Sequence, residues 1–260
     1  MDTVNCGSDY LTSVEPDIME WWYVAGLIIT GYTLTILYLQ IRNPENHLNW
    51  DNIDLTDVDF PSTFAWGVAT ASHQIEGHNQ NNWTQFENST ELERSGEACD
   101  HWNRWENDFD LIENLGVGHY RFSIEWSRIE PNMGDWDDNA ISQYSAMIDD
   151  LLEKNIIPMV TLHHFSHPIW FEEMGGFTKR DNVNLWVRFS EKMFAEFGDR
   201  VKWWCTINEP AVFTSMGYVL GEFPPGKRSF KLTKAVSRNM MIAHAQCYRA
   251  LKSMPGGSDA

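Results

Sequence analysis

Positive charge is scarce in this sequence. Nineteen Lys and Arg stand against 37 Asp and Glu, a formal charge of -18 over 260 residues. That balance excludes a nucleic-acid backbone as partner, because phosphate binding needs clustered Lys and Arg. Cysteine is scarce too. Cys6, Cys99, Cys205 and Cys247 are widely spaced and contain no C-x-x-C pair, which excludes a zinc pattern and a dense disulfide framework. No Gly-x-Gly-x-x-Gly sits at a strand end, so the mark of a dinucleotide-binding sheet is missing. After residue 41 no stretch is apolar enough to cross a membrane.

Before residue 41 one stretch is. Residues 1-20 are acidic and carry no Lys or Arg, and from Trp21 to Ile41 runs WWYVAGLIITGYTLTILYLQI without a formal charge. At about 1.5 Å rise per residue, a helix of that length spans a hydrocarbon core of roughly 30 Å. Trp21, Trp22 and Tyr23 at one end and Tyr38, Gln40 and Arg42 at the other have the character of interface anchors. The missing basic n-region argues against a cleavable signal peptide. A buried helix and an unrelated leader are the bland alternatives. The expectation is a single-pass membrane segment over 21-41, with the rest otherwise cytoplasmic. Arg42 favours that side by the positive-inside rule, whereas the acceptor triplets Asn82-Trp83-Thr84 and Asn88-Ser89-Thr90 suit the opposite one. Residues 42-59 read as a polar linker.

From residue 60 the chain alternates. Strands are expected at Phe64-Thr70, Tyr120-Ile124, Ile156-Leu162 and Val201-Ile207, the last read as buried. Amphipathic helices are expected at Asp100-Asn114, Asp138-Asn155, Asp181-Phe197 and Phe230-Leu251, with a long polar loop between the first strand and Gly96. Met147, Met193, Met240 and Met241 fall at core-like helical positions, and Cys205 reads as a small buried hydrophobe. Four strands alternating with four helices indicate a parallel α/β architecture, with a doubly wound sheet as the generic alternative. His163, His164 and His167 cluster, yet adjacent residues of a strand face opposite sides and no acidic or cysteine partner has ligand spacing, so no metal is expected.

The last strand, in VKWWCTINEP, delivers Asn208 and Glu209 at its C-terminal end, where an α/β fold places chemistry, and Pro210 keeps Glu209 out of the helical region. TINEP resembles the acid/base motif of glycoside hydrolase family 1, the retaining β-glucosidases, β-galactosidases and their relatives. Four further blocks resemble that family in order: FPSTFAWGVATASHQIEG from Phe60, YRFSIEWSRIEP from Tyr120, TLHHFSHPIWF from Thr161 and GGFTKRDNV from Gly175. The resemblance runs from about Asn49 to about Met254. It implies a (β/α)8 barrel of which this chain carries the N-terminal half, about four βα units over 60-260, and the Trp and Phe content suits a sugar cleft.

By the same resemblance, Glu209 matches the general acid/base, and Arg121 the arginine that pairs with the nucleophile and keeps it ionised. Asn208 matches the amide on the sugar 2-hydroxyl, and Gln74 and His164 the ligands to the 3- and 4-hydroxyls. Taken singly, Gln74 and Arg121 read as surface or salt-bridge residues; Trp126 and Trp170 read equally as pocket support or core. The nucleophile, a Glu in a motif like TENG, has no match after Glu209. Where many members have Trp and Asp, this chain has Phe165 and Ser166. The resemblance therefore implies hydrolysis of β-D-glucosides or β-D-galactosides with retention and without cofactor, this chain bringing the acid/base half but no turnover alone. Its expected partners are the glycoside and either a missing C-terminal barrel half or a second copy. A catalytically inactive sugar- or protein-binding protein, or a truncated gene product, is the alternative.

Overall fold

The computed structural model describes residues 18-43 and 59-259. Most of the expected acidic tail and of the linker lies outside the described residues. Two compact units divide the chain, residues 1-62 and 63-260, and each is described by itself.

The first unit contains helix α1, Ile18-Arg42. Its segment Trp21-Arg42 has a mean hydropathy of 1.7 and no buried share, so by length and composition it can cross a membrane. Two of its threonines are self-satisfied. Thr33 and Thr35 donate their hydroxyls to the carbonyls of Ile29 and Gly31 at 2.9 and 2.8 Å, as a helix in apolar surroundings requires.

The second unit opens with β1 (Gly67-Ala69), α2 (Ser72-Ile75), α3 (Asn82-Ser89) and α4 (His101-Asn114). Then come β2 (His119-Ser123), α5 (Trp126-Ile129), α6 (Asp138-Glu153), β3 (Ile157-His163), α7 (Ile169-Glu173) and α8 (Val183-Phe197). β4 (Trp203-Ile207), α9 (Pro210-Ser215) and α10 (Phe230-Ser253) complete it. The four strands lie in the order β1-β2-β3-β4, every pair parallel, with Ala69 opposite Arg121, Arg121 opposite Met159 and Met159 opposite Trp203. This is a partial (β/α) barrel of four units.

Periodicity explains the helices. α6 buries Ala140, Ile141, Tyr144, Met147, Ile148 and Leu151 on one stripe, and its start is fixed by Asp137, whose carboxylate accepts from the amides of Asn139 and Ala140. α8 buries Trp186, Phe189, Met193, Phe194 and Phe197. Trp126 stacks on Phe189 at 4.8 Å and meets Trp186 edge-on at 5.9 Å. Each such aromatic contributes roughly 1.5-3 kcal/mol by leaving water. The outward face of the sheet, Tyr120, Phe122, Val160 and Leu162, is fully covered by this layer. The inner wall is not. Ile157 is 42% and Trp203 56% exposed.

Several boundaries and burials differ from the sequence reading. β1 is only three residues long and Phe64-Trp66 stay outside it. β4 begins at Trp203, and it is half exposed rather than buried because it is an outermost strand of an open sheet. Cys205 is half buried for the same reason, and Met241 sits on the solvent side of α10. The expected polar loop before Gly96 holds α2 and α3. Asn81 starts α3 with a reciprocal cap: its side chain accepts from the amides of Trp83 and Thr84, and the Thr84 hydroxyl accepts from the Asn81 amide. Gly77, with φ at 79°, permits the turn between α2 and α3; a Cβ there would lie 2.1 Å from the Glu97 carbonyl oxygen.

Candidate active site

The ends of β2, β3 and β4 converge on one hydrogen-bonded row. Arg121 of β2 donates from Nε to Thr161 Oγ1 of β3 at 2.8 Å and from Nη2 to Asn208 Oδ1 at 2.5 Å, with Cys205 Sγ at 3.6 Å from the same nitrogen. An Arg side chain can only donate, so Oδ1 of Asn208 is the acceptor and Nδ2 the donor. Nδ2 lies 3.3 Å from His164 Nε2 and 3.4 Å from Glu209 Oε2. His164 Nε2 therefore accepts, which puts the imidazole proton on Nδ1, a buried atom without a hydrogen-bond partner. Burial, reinforced by the Arg121 charge and opposed by Glu209, pushes His164 down to about 4, which keeps the ring neutral at physiological pH.

Glu209 is exposed, and its backbone is left-handed, φ 41° and ψ 61°, directly before Pro210 opens α9. A left-handed non-glycine residue is held by its surroundings, here by Pro210 and by the Asn208 amide bonded to the His163 carbonyl at 2.8 Å. A cavity of about 380 Å³ borders this row. Gln74 and His164 line it together, with Phe165, Trp83 and Arg94 around them. The structure thus brings Arg121, Asn208, His164 and Glu209 into one row, and Gln74 lines the same cavity as His164. Arg121 is engaged by Thr161 and Asn208.

His163 and His164 go opposite ways. His163 is enclosed by Phe177, Trp186 and Phe213. Its Nε2 is 3.4 Å from His167 Nδ1, and His167 Nε2 is 2.8 Å from Glu172 Oε2. His167 thus has an acidic partner five residues on, which spacing had discounted. Among the described residues no three or more His, Cys, Asp or Glu converge as a metal group. Trp126 is buried in the core, and Trp170, half-buried, packs against it. Their indole nitrogens donate to Glu130 Oε2 at 2.9 Å and to the Glu130 carbonyl at 3.0 Å.

Sequence reasoning missed the buried carboxylates beneath the site. Glu125 accepts the hydroxyls of Ser72 at 3.0 Å, Ser166 at 2.8 Å and Ser127 at 2.8 Å. Glu130 is bonded by Trp126, the Gly134 amide and Arg188. Glu76 takes the Tyr144 hydroxyl at 2.5 Å and Arg128 Nε at 2.9 Å. The available signal was three acids flanked by apolar residues inside QIEG and SIEWSRIEP, where a solvated loop acid is out of place. Glu125, just past β2, ties Ser72 of α2, the helix that carries Gln74, to Ser166 beyond β3.

Residues 56-259 match the family described as Glycosyl hydrolase family 1. The chain belongs to glycosyl hydrolase family 1. Within the family it is 39% identical to "Beta-glucosidase A" of Thermotoga maritima over 204 residues, covering 74% of this chain and 46% of that protein. To "Cytosolic beta-glucosidase" of Homo sapiens it is 36% identical over 213 residues, covering 75% and 45%. A solved "beta-glycosidase from Pyrococcus horikoshii" superposes with a TM-score of 0.71 at 42% identity, covering 74% of this chain and 46% of that one. The Thermotoga maritima β-glucosidase solved with glucoimidazole gives a TM-score of 0.73 at 37% identity, covering 77% and 48%. This family 1 chain spans about half the length of the relatives it matches.

Proposed function

We propose that the chain supplies the acid/base half of a retaining β-glycosidase for β-D-glucosides or β-D-galactosides. What supports this reading above all is the bonded row of Arg121, Asn208, His164 and Glu209 at the strand ends of a family 1 chain. Glu209 protonates the departing glycosidic oxygen and then deprotonates the incoming water. Asn208 meets the 2-hydroxyl. Gln74 and His164 hold the 3- and 4-hydroxyls, the hydroxyl at His164 competing with the Asn208 amide for Nε2. Arg121 provides the positive charge that keeps a nucleophilic carboxylate ionised. Retention needs a second carboxyl about 5-5.5 Å from the first, and residues 210-260 contain no match to the family's nucleophile motif. These 260 residues alone are therefore expected to give only background hydrolysis.

A non-catalytic sugar- or protein-binding role is the second reading, favoured by the coverage of only about half of each relative. The proposed organisation is an acidic tail over 1-20, a single membrane span over 21-41, a linker over 42-59 and the partial barrel over 60-260.

Calorimetric titration of the full chain in detergent with glucoimidazole tests the site. Binding should be seen, and Gln74→Ala and His164→Ala should each weaken it roughly tenfold, the worth of one hydrogen bond to a ligand. No binding by the parent, or unchanged affinity in both variants, overturns the assignment. With p-nitrophenyl β-D-glucoside, background release supports the missing nucleophile; turnover that Glu209→Gln slows overturns it.

A further inference from the structure

We propose that the outward face of α10 docks on an anionic lipid surface. The choice of lipid as occupant rests on reading α1 as a membrane span, and nothing in it rests on the catalytic roles.

Charge distribution comes first. Acids outnumber bases about two to one across the chain, yet the 24 residues of α10 contain Lys231, Lys234, Arg238, Arg249 and Lys252 and no acid. The first four of these are exposed. Several bases elsewhere meet acids, as Arg128 meets Glu76 and Arg200 meets Asp149 and Asp199. Among the described residues Lys231, Lys234, Arg238 and Arg249 make no ion pair.

Helical spacing gathers these four. Intervals of three, four and eleven residues each return a side chain to nearly the same face, so they form one row about 27 Å long from Lys231 to Arg249. The buried stripe, Val236, Met240, Ala243 and Cys247, lies opposite. Glu191 of α8 acts on Cys247, on that opposite stripe, and not on the row. A helix layered on a barrel sheet turns such a row outward whatever follows in the chain.

Clusters of roughly four to eight Lys and Arg on an amphipathic helix suit an anionic lipid surface, each adding roughly fivefold to the affinity. α1 decides among anionic partners. It is long and apolar enough to cross a bilayer, so a lipid surface is the anion this chain meets at high local concentration. Docking through a helix of the outer ring leaves the strand-end face, and with it the cavity lined by Gln74 and His164, open to a glycoside.

Amine footprinting of the full chain tests the docking, after detergent removal into phosphatidylcholine or into equal parts phosphatidylcholine and phosphatidylglycerol. Brief acetylation is read at each lysine by mass spectrometry, with exposed Lys202, off the row, as internal reference. With phosphatidylglycerol, Lys231 and Lys234 should be acetylated roughly fivefold or more slowly relative to Lys202, and molar salt should abolish the difference. Lys234→Glu with Arg238→Glu, both at exposed positions, should free Lys231 in the anionic lipid. Equal labelling in the two lipids, protection that survives molar salt, or protection of Lys231 that survives the double substitution each overturns the proposal. Carbonate extraction of the same samples reads α1 separately: a chain that carbonate releases, but whose Lys231 responds to phosphatidylglycerol, loses the span and keeps the docking face.

Discussion

Burial pushes the carboxyl of Glu76 up to about 7, with the neighbouring Glu125 adding to the rise and the Arg128 charge and the Tyr144 hydrogen bond opposing it. The folded protein therefore holds this proton over a range, about pH 4.5 to 7, in which the unfolded chain has already released it. Stability from this group is full below that range and lost as pH rises through it, on the order of 3 kcal/mol. His164, held down to about 4, has the opposite sign: its contribution is present above about 6.5 and fades as pH falls toward 4. Thermal unfolding between pH 5 and 8 should separate the two, since Glu76→Gln removes the alkaline decline and leaves the acid one. An unchanged profile in Glu76→Gln would mean that Arg128 keeps the carboxylate ionised throughout. Glu130 is a sterner case. Fully buried, it accepts from the Trp126 indole and the Gly134 amide, and replacing it by Ala should cost about 1-3 kcal/mol because those donors lose their acceptor while Arg188, 37% exposed, stays in reach of water; denaturant midpoints would read the loss.

α3 shows how one residue holds an element. Asn81 caps the helix and also reaches His73 Nδ1 at 3.2 Å, while His73 Nε2 meets Glu87 at 3.0 Å. Asn81→Ala should destabilise by about 1-2 kcal/mol, the range of a lost cap, measurable by urea unfolding. The same element separates the two acceptor triplets. Asn82 is buried, its amide donating to the Phe165 carbonyl at 3.1 Å and its oxygen accepting from the His167 amide at 2.8 Å. Asn88 is exposed. In a glycosylating cell that places this part in the lumen, only Asn88→Gln should remove a gel-mobility shift; a shift removed by Asn82→Gln would contradict the packing. For α1, with no buried share over Trp21-Arg42, the proposed span predicts that alkaline carbonate leaves the chain in the membrane pellet, and that Leu34→Arg, near the helix centre, releases much of it.

At the scale of the molecule, the alternation of strands and helices was legible because each long helix is amphipathic and each strand bounded. Helices α4, α6, α8 and α10 lie within two residues of their expected ends. Less visible were α2 and α3, four and eight residues long, whose cap and tertiary bonds replace the apolar stripe that periodicity detects. Burial along β4 was misread because Trp203, Trp204 and Cys205 describe a strand suited to a closed barrel, while the described sheet ends there. The site divided in the same way. Strand ends pointed to Asn208 and Glu209, but the link from Arg121 through Asn208 to His164 joins residues 44 to 87 positions apart. The serines bonded to Glu125 carry no mark in the sequence of being anything but polar.

Glu209 sits with a positive φ before Pro210, a conformation that costs a side chain on the order of 1 kcal/mol and glycine almost nothing. Selection for fold stability and selection for glycoside chemistry should then disagree at this single position. A library screened only for thermal robustness would drift toward Glu209→Gly, discarding the proposed acid/base while improving the scaffold. The residue found there in any descendant would report which of the two pressures that lineage has answered.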